Sequence, residues 1–224
     1  MNSDLNVHVL YLAEEIRRED KLNVIGFDLD MTLVDSSEAI VFSAISAIRS
    51  FAPQASIDEM EIRREIGLPI KDLITRYVGS LNSHEAYESY KKFYISQGLD
   101  LSIEIDGARS TILELQLKGY NTCVITAKDQ FVAELQLRHL GFPSMKVFGN
   151  SFGSEKSRAM LAFKCTHYVG DHYHDYLAAM EAHIAFIGVD SNPEHGLRGR
   201  LPSDVLVIEK LSQIDSALNR RSGS

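Results

Sequence analysis

Asn23-Val24-Ile25-Gly26-Phe27-Asp28-Leu29-Asp30-Met31-Thr32-Leu33-Val34-Asp35-Ser36 is the stretch whose reading decides the fold. Val24 to Phe27 is a short apolar run with β-branched residues, the pattern of a strand buried in a parallel sheet. Asp28 stands at the carboxyl end of that strand, with Asp30 two residues on. In an open α/β sheet, ligands bind outside the carboxyl ends of the strands. Two carboxylates so close repel each other and are costly to desolvate. A bound cation, or a division of labour between acid and base, relieves that repulsion. A polar turn after a strand accounts for the same residues, so this short pattern alone leaves both accounts open.

Working outward, Leu5, Val9, Leu12 and Ile16 recur at helical spacing and predict a helix over 5–20, in an N-terminal segment of residues 1–21. Downstream, Ser36 or Ser37 is a candidate helix N-cap, with Glu38 in the first turn. From there to about Gly98 no strand pattern occurs. Helices are predicted over 37–51, 57–66, 70–78 and 84–97, punctuated by Pro53, Gly67-Leu68-Pro69 and the run from Gly79 to Ser83. A helical block inserted directly after the polar turn is a second lobe, residues 37–101, able to close over the strand end. Its hinges are expected near 34–37 and 101–106.

From about Asp106 strands and helices alternate. Helices are predicted over 107–118, 130–140, 156–163, 173–182 and 211–218, and strands over 121–126, 146–148, 167–170, 184–189 and 205–208. Such alternation indicates an α/β fold with a doubly wound parallel sheet, built from residues 22–36 and 102–224. The polar tail from Asn219 is expected to fray.

Composition narrows the function classes. With 224 residues, 45% of them hydrophobic, the chain can bury one sizeable core plus a small second lobe. A net charge of −8 without a basic stripe argues against nucleic-acid binding. Cys123 and Cys165 read as buried free thiols, which fits a cytoplasmic setting. No apolar stretch is long enough for a bilayer; residues 39–48 come nearest and are interrupted by Ser43 and Ser46. The N-terminus lacks the basic and apolar regions of a signal peptide.

Further chemistry stands at later strand ends. Thr126, followed by Ala127, ends a predicted strand just before a helix, a cradle for a phosphate oxygen or simply an N-cap. Lys156 opens a helix, against the macrodipole. It fits either a neutralising role beside bound phosphate or an exposed surface lysine; Lys128 is a weaker candidate for the first. Asp171 follows the strand before Gly170, and Asp175 lies four residues later on the first turn of a helix. His167, His172 and His174 match no helical metal-ligand spacing, and a carboxylate-rich phosphate site favours hard magnesium over zinc.

The run Asp28-Leu29-Asp30-Met31-Thr32-Leu33-Val34-Asp35-Ser36 closely resembles the first motif of the haloacid dehalogenase superfamily of phosphotransferases. Thr126, Lys156 and Gly170-Asp171-His172-Tyr173-His174-Asp175 resemble its other three motifs, in order. The resemblance runs from about Val24 to the C-terminus, and the helical insert looks like the cap of the phosphoglycolate phosphatase and β-phosphoglucomutase branch. It implies a Rossmann-like core with magnesium held by Asp28, the backbone carbonyl of Asp30, and Asp171. It makes Asp28 the nucleophile and Asp30 the general acid and base. Thr126, Ala127 and Lys156 hold the phosphoryl group, and Asp175 orients the ligands. Two residues depart from the pattern: Ala127, where the family often has Ser or Asn, and His172, where a small hydroxyl residue is usual. Asp30 speaks for phosphoryl transfer, because relatives that cleave carbon–phosphorus bonds lack an Asp there and haloacid dehalogenases lack the paired arrangement.

Arg63, Arg64, Gly67, Leu68, Pro69 and Lys71 resemble the family's cap loop that dips toward the active site. A basic residue there would greet a second anionic group, such as the carboxylate of phosphoglycolate. Surface charges balanced by Glu61 and Glu65 are the other account. The expected function is therefore a magnesium-dependent phosphatase, monomer or homodimer. Its substrate would be a small phosphorylated metabolite: phosphoglycolate, a sugar phosphate or a nucleoside monophosphate. A phosphomutase, or a non-catalytic interaction protein on the same fold, are the alternatives.

Overall fold

The computed structural model describes residues 23–190 and 196–220. The helix expected over 5–20 and the tail after residue 220 lie outside them. In chain order, β1 (Val24–Phe27) leads into a two-residue strand, β2 (Val34–Asp35). Four helices follow: α1 (Ser37–Phe51), α2 (Glu59–Arg64), α3 (Ile70–Val78) and α4 (Ser83–Ser96). A second short strand, β3 (Ile103–Glu104), brings the chain back. Then α5 (Ala108–Leu117), β4 (Asn121–Ile125), α6 (Gln130–His139), β5 (Lys146–Phe148) and α7 (Ser154–Ala162) alternate. They are followed by β6 (Cys165–Gly170), α8 (Tyr173–Glu181), β7 (Ala185–Val189), β8 (Leu206–Ile208) and α9 (Ile214–Arg220).

The main sheet has six strands in the order β5-β4-β1-β6-β7-β8, and every pairing in it is parallel. Both of its faces are covered, and the side chains divide with the two-residue period of a strand. Ile25, Phe27, Val124, Val169 and Ile187 pack with Ile112, Leu115, Ala133, Leu137 and Ile214 on one side. Val24, Cys123, Ile125, Tyr168 and Phe186 pack with Ala159, Met160, Ala178 and Ala179 on the other. Gly26 belongs to the second face, where a Cβ would come within 2.8 Å of the Tyr168 ring. The missing side chain lets Tyr168 lie across β1 and donate its hydroxyl to the Ile125 carbonyl at 2.7 Å.

Strand register aligns the site. Phe27 pairs with Val124 of β4 and with Val169 of β6. The residues that leave the three strands, Asp28, Thr126 and Asp171, therefore emerge along one edge. The strand order reverses around β1, which opens a crevice at that edge.

The four helices α1–α4 bury a cluster of their own, with Ala44, Ile48, Ile62, Leu73, Ile74 and Tyr94 at its centre; Met31, from the turn after β1, and Val132, from α6, join it. Asp58 caps α2 by accepting the Met60 N–H at 2.9 Å, so that helix starts at Glu59 and is shorter than the 57–66 expected. The cap of α1 also differs from expectation. Ser36 holds the N-cap position without a side-chain bond to the helix. Asp35 instead accepts the Ser37 N–H at 3.0 Å. Segments expected as hinges contain β2 and β3, which pair antiparallel, Val34 with Glu104 and Asp35 with Ile103. Two-residue strands carry no periodicity, so the sequence gives no sign of this ribbon. The final helix splits into a single turn at Leu211–Gln213 and α9, which extends to Arg220, past the expected start of the tail.

Candidate active site

Asp28 prolongs β1 by one bond, its N–H reaching the Val169 carbonyl at 2.9 Å. The chain then turns tightly. The N–H groups of Thr32, Leu33 and Val34 converge on the Leu29 carbonyl at 3.3, 2.9 and 3.0 Å. Met31 takes a left-handed backbone, φ 63°, a conformation that costs a non-glycine residue about 1–2 kcal/mol. Such strain persists where surrounding structure enforces it, commonly at functional sites. The turn holds Asp30 over the same edge as Asp28.

Lys156 reaches this edge from the first turn of α7. It is 4% exposed, and its Nζ lies 2.9 Å from Asp28 Oδ1 and 2.5 Å from Asp175 Oδ1. Burial pushes the ammonium down, but Asp175 and Asp28 more than offset this and leave it raised above the usual lysine range. Burial, opposed by Lys156, pushes the Asp28 carboxyl up to about 7. One ammonium thus faces two buried carboxylates, with Asp171 a third close by.

Asp28, Asp171 and Asp175 each offer an oxygen, and the three atoms lie within 4.8 Å of one another. Asp171 accepts the Thr32 hydroxyl at 2.9 Å. Asp175 is bonded on both oxygens, by Lys156 and by the His172 N–H at 3.2 Å. His172 and Asp175 thereby form a reciprocal cap at the start of α8. A Cβ on Gly170 would collide with the Asp175 carboxylate. The donor set suits a hard dication: buried carboxylate oxygens in excess over the available ammonium. Asp175 is the one of the three that also caps α8, whereas Asp28 and Asp171 lie at the ends of β1 and β6.

Lys128 has a larger part than its sequence suggests. It is 8% exposed. Its Nζ contacts Asp30 Oδ1 at 2.5 Å, the Tyr94 hydroxyl at 2.8 Å and Gln136 Oε1 at 2.8 Å. Those three acceptors use all three donors of an ammonium. Gln136 in turn donates to the hydroxyls of Ser36 and Ser102, both at 3.0 Å. Asp30 is therefore fixed through a buried network to both connections of the helical lobe. Tyr94, Gln136, Ser36 and Ser102 are separated by up to a hundred positions from their partners, and no local motif marks them.

A pocket opens above Asp28 and Asp30. Thr126, Ala127 and Lys128 line it from the sheet edge, and Ile66, Gly67 and Leu68 from the helical lobe. Of the lobe residues expected at the substrate, only Gly67 and its neighbour Leu68 reach it; Arg63, Arg64 and Lys71 do not line the pocket. Arg63 pairs with Glu38 at 2.8 Å and Glu59 at 2.7 Å, and Arg64 with Asp58 at 3.4 Å. Lys71 is exposed, 6.0 Å from the centre of the Tyr87 ring. Glu61 and Glu65, expected to balance the arginines, pair with Arg76 instead.

The parallel sheet order, the convergent carboxylates and the buried lysine define an α/β fold with an acidic crevice at the carboxyl ends of its strands. Residues 25–151 match the family model of haloacid dehalogenase-like hydrolases, and the chain belongs to that family. It is similar to the phosphoglycolate phosphatase of Vibrio cholerae, 27% identical over 198 residues, which covers 78% of this chain and 87% of that protein. It is also similar to the pyrophosphatase PpaX of Bacillus anthracis, 26% identical over 118 residues; that match spans 53% of this chain and 54% of the relative. Among solved structures, a hydrolase from Pseudomonas syringae superposes with a TM-score of 0.73 at 19% identity, covering 88% of this chain and 98% of that one. A haloacid dehalogenase-like family protein from Streptococcus pneumoniae gives 0.71 at 21% identity, with the same coverage. These two likenesses establish the fold. Among the described residues, no helix is long and apolar enough to cross a membrane.

Proposed function

We propose that the chain is a magnesium-dependent phosphatase that hydrolyses a small phosphorylated metabolite through an aspartyl-phosphate on Asp28. The observation that carries this reading is Asp28 at the end of the central strand, 2.9 Å from a buried lysine and clustered with Asp171 and Asp175. The similarity to a phosphoglycolate phosphatase and a pyrophosphatase supports the same chemistry. Asp28, Asp171 and the backbone carbonyl of Asp30 would hold the ion. When bound, it supplies positive charge that draws a phosphate oxygen to the carboxylates and offsets charge in transfer.

The residues of the chain then divide the work. Asp28 attacks phosphorus, the bond to the ester oxygen breaks, and Asp30 gives its proton to that leaving oxygen. Asp30 next takes a proton from water, which attacks the phosphoryl group and frees Asp28. Thr126 accepts the Lys128 N–H at 3.2 Å through its hydroxyl oxygen, so its own O–H proton is available to a phosphate oxygen. The Thr126 N–H goes to the Phe148 carbonyl, and the adjacent backbone donor is that of Ala127. Lys156 neutralises the nucleophile and the incoming phosphate. Helices α1–α4 act as a cap over the site. The buried free thiols Cys123 and Cys165 suit a cytoplasmic enzyme.

Hydrolysis of p-nitrophenyl phosphate and of a phosphometabolite panel tests the reading. Turnover is expected with magnesium and should fall at least about tenfold in chelator. Acid quenching should trap phosphate on Asp28. Turnover indifferent to chelation, or no turnover of any ester, would overturn it. Isomerised sugar phosphate in place of inorganic phosphate would identify a mutase instead.

A further inference from the structure

We propose that the pocket selects phosphate monoesters whose alcohol carries no negative charge and offers a hydrogen-bond donor, and rejects esters with a second anionic group. This rests on the phosphatase reading above and names the substrate class of that same site.

Beyond the residues of the reacting centre, the pocket is lined by Glu65, Ile66, Leu68, Tyr87, Tyr90 and Asp129, among others. Four of these present apolar or aromatic surface, which suits the carbon skeleton of a small alcohol. The other two are acidic. Their cationic partners, Arg76 beside Glu65 at 2.5 Å and Lys91 beside Asp129 at 3.6 Å, are not among the lining residues. Tyr87 lies near the same acids: burial, then Asp129 and Glu88, push its hydroxyl up to about 12. The phenol therefore stays neutral and can donate or accept.

Among the described lining residues, Lys128 is the one cation. Its ammonium is already bonded to Asp30, Tyr94 and Gln136, which exhausts its donors. A carboxylate or second phosphate on the leaving group would thus enter beside two acidic residues and find no unengaged cation among the described lining residues. Like charges brought together in a poorly solvated site repel strongly. A hydroxyl or an amine meets acceptors instead. Glu65 follows α2 in the helical lobe and Asp129 caps α6 in the core, so both sides of the pocket carry this discrimination.

Three esters of nearly equal size provide the test: 2-phosphoglycolate, 2-hydroxyethyl phosphate and O-phosphoethanolamine. The full chain is assayed with magnesium, with p-nitrophenyl phosphate as the generic reference. Hydroxyethyl phosphate and phosphoethanolamine are expected to exceed phosphoglycolate at least about tenfold in kcat/KM. Glu65→Gln should narrow the gap about threefold or more, because it removes one of the repelling carboxylates. Any wild-type ordering in which phosphoglycolate is not the poorest of the three overturns the proposal, including one in which all three are inert while p-nitrophenyl phosphate turns over. If Glu65→Gln fails to fold, the wild-type ordering decides alone. Absence of p-nitrophenyl phosphate turnover would instead remove the phosphatase reading, and this proposal with it.

Discussion

Replacing Asp28 with asparagine is expected to lower kcat at least about 10,000-fold, because it removes the proposed nucleophile while keeping the shape of the side chain. The same change should alter stability in a pH-dependent way that activity does not report. In chelator, burial opposed by Lys156 holds the Asp28 carboxyl at about 7, against an ordinary value of 3.8. A carboxyl raised in the folded state favours folding below its ordinary value. That contribution is lost as pH climbs from about 4 through about 7. Asparagine does not titrate. The variant should therefore gain on the wild type as pH rises across this window. Between pH 5 and pH 8 its stability relative to the wild type should rise by ~2 kcal/mol, or about 4–8 °C in Tm. Magnesium should oppose that gain, since an ion that binds only the folded wild type stabilises it. Thermal melts at pH 5 and pH 8, with chelator and with magnesium, measure both effects. A pH-independent difference, or wild-type turnover in the variant, would sink the assignment.

Lys156→Met is expected to damage both fold and function. Lys156 is the ammonium between Asp28 and Asp175, all three buried. Breaking a buried pair by removing one partner typically costs about 3–5 kcal/mol, since the remaining charges are left uncompensated. In a domain of this size the metal-free Tm should drop by about 10 °C. Magnesium should recover part of that loss by compensating the same carboxylates. It should not recover turnover, which is expected to stay at least about 100-fold down, because transition-state charge on the phosphoryl group loses a fixed partner. A variant that melts with the wild type in chelator would show that Lys156 is not the main counter-charge.

Local pattern determined a large share of this protein. The apolar run at Val24–Phe27, the alternation after Asp106 and the helical block after Ser36 each depend on side chains a few positions apart, and they define the parallel sheet with its helical insert. The strand ends at Asp28, Thr126 and Asp171 were legible for the same reason: each follows an apolar run that the sheet buries. That Lys156 is buried against Asp28, rather than solvated, was not legible. Both accounts fit its position at a helix start, and only the packing of α7 on the sheet decides. The same holds for Lys128, whose three partners come from the β1 turn, α4 and α6.

The paired connections β2 and β3 are too short for any period to reveal. In the helical lobe, charge pattern pointed to Arg63, Arg64 and Lys71, whereas the pocket receives Gly67 and Leu68. A charge on a helix has its sign written in the sequence. Which way it faces depends on how the helix is rotated against its neighbours, and buried side chains such as Ile62 and Leu73 set that rotation. Identity of the reacting groups is thus a property of the chain, while the surroundings of the leaving group exist only once the lobe is packed.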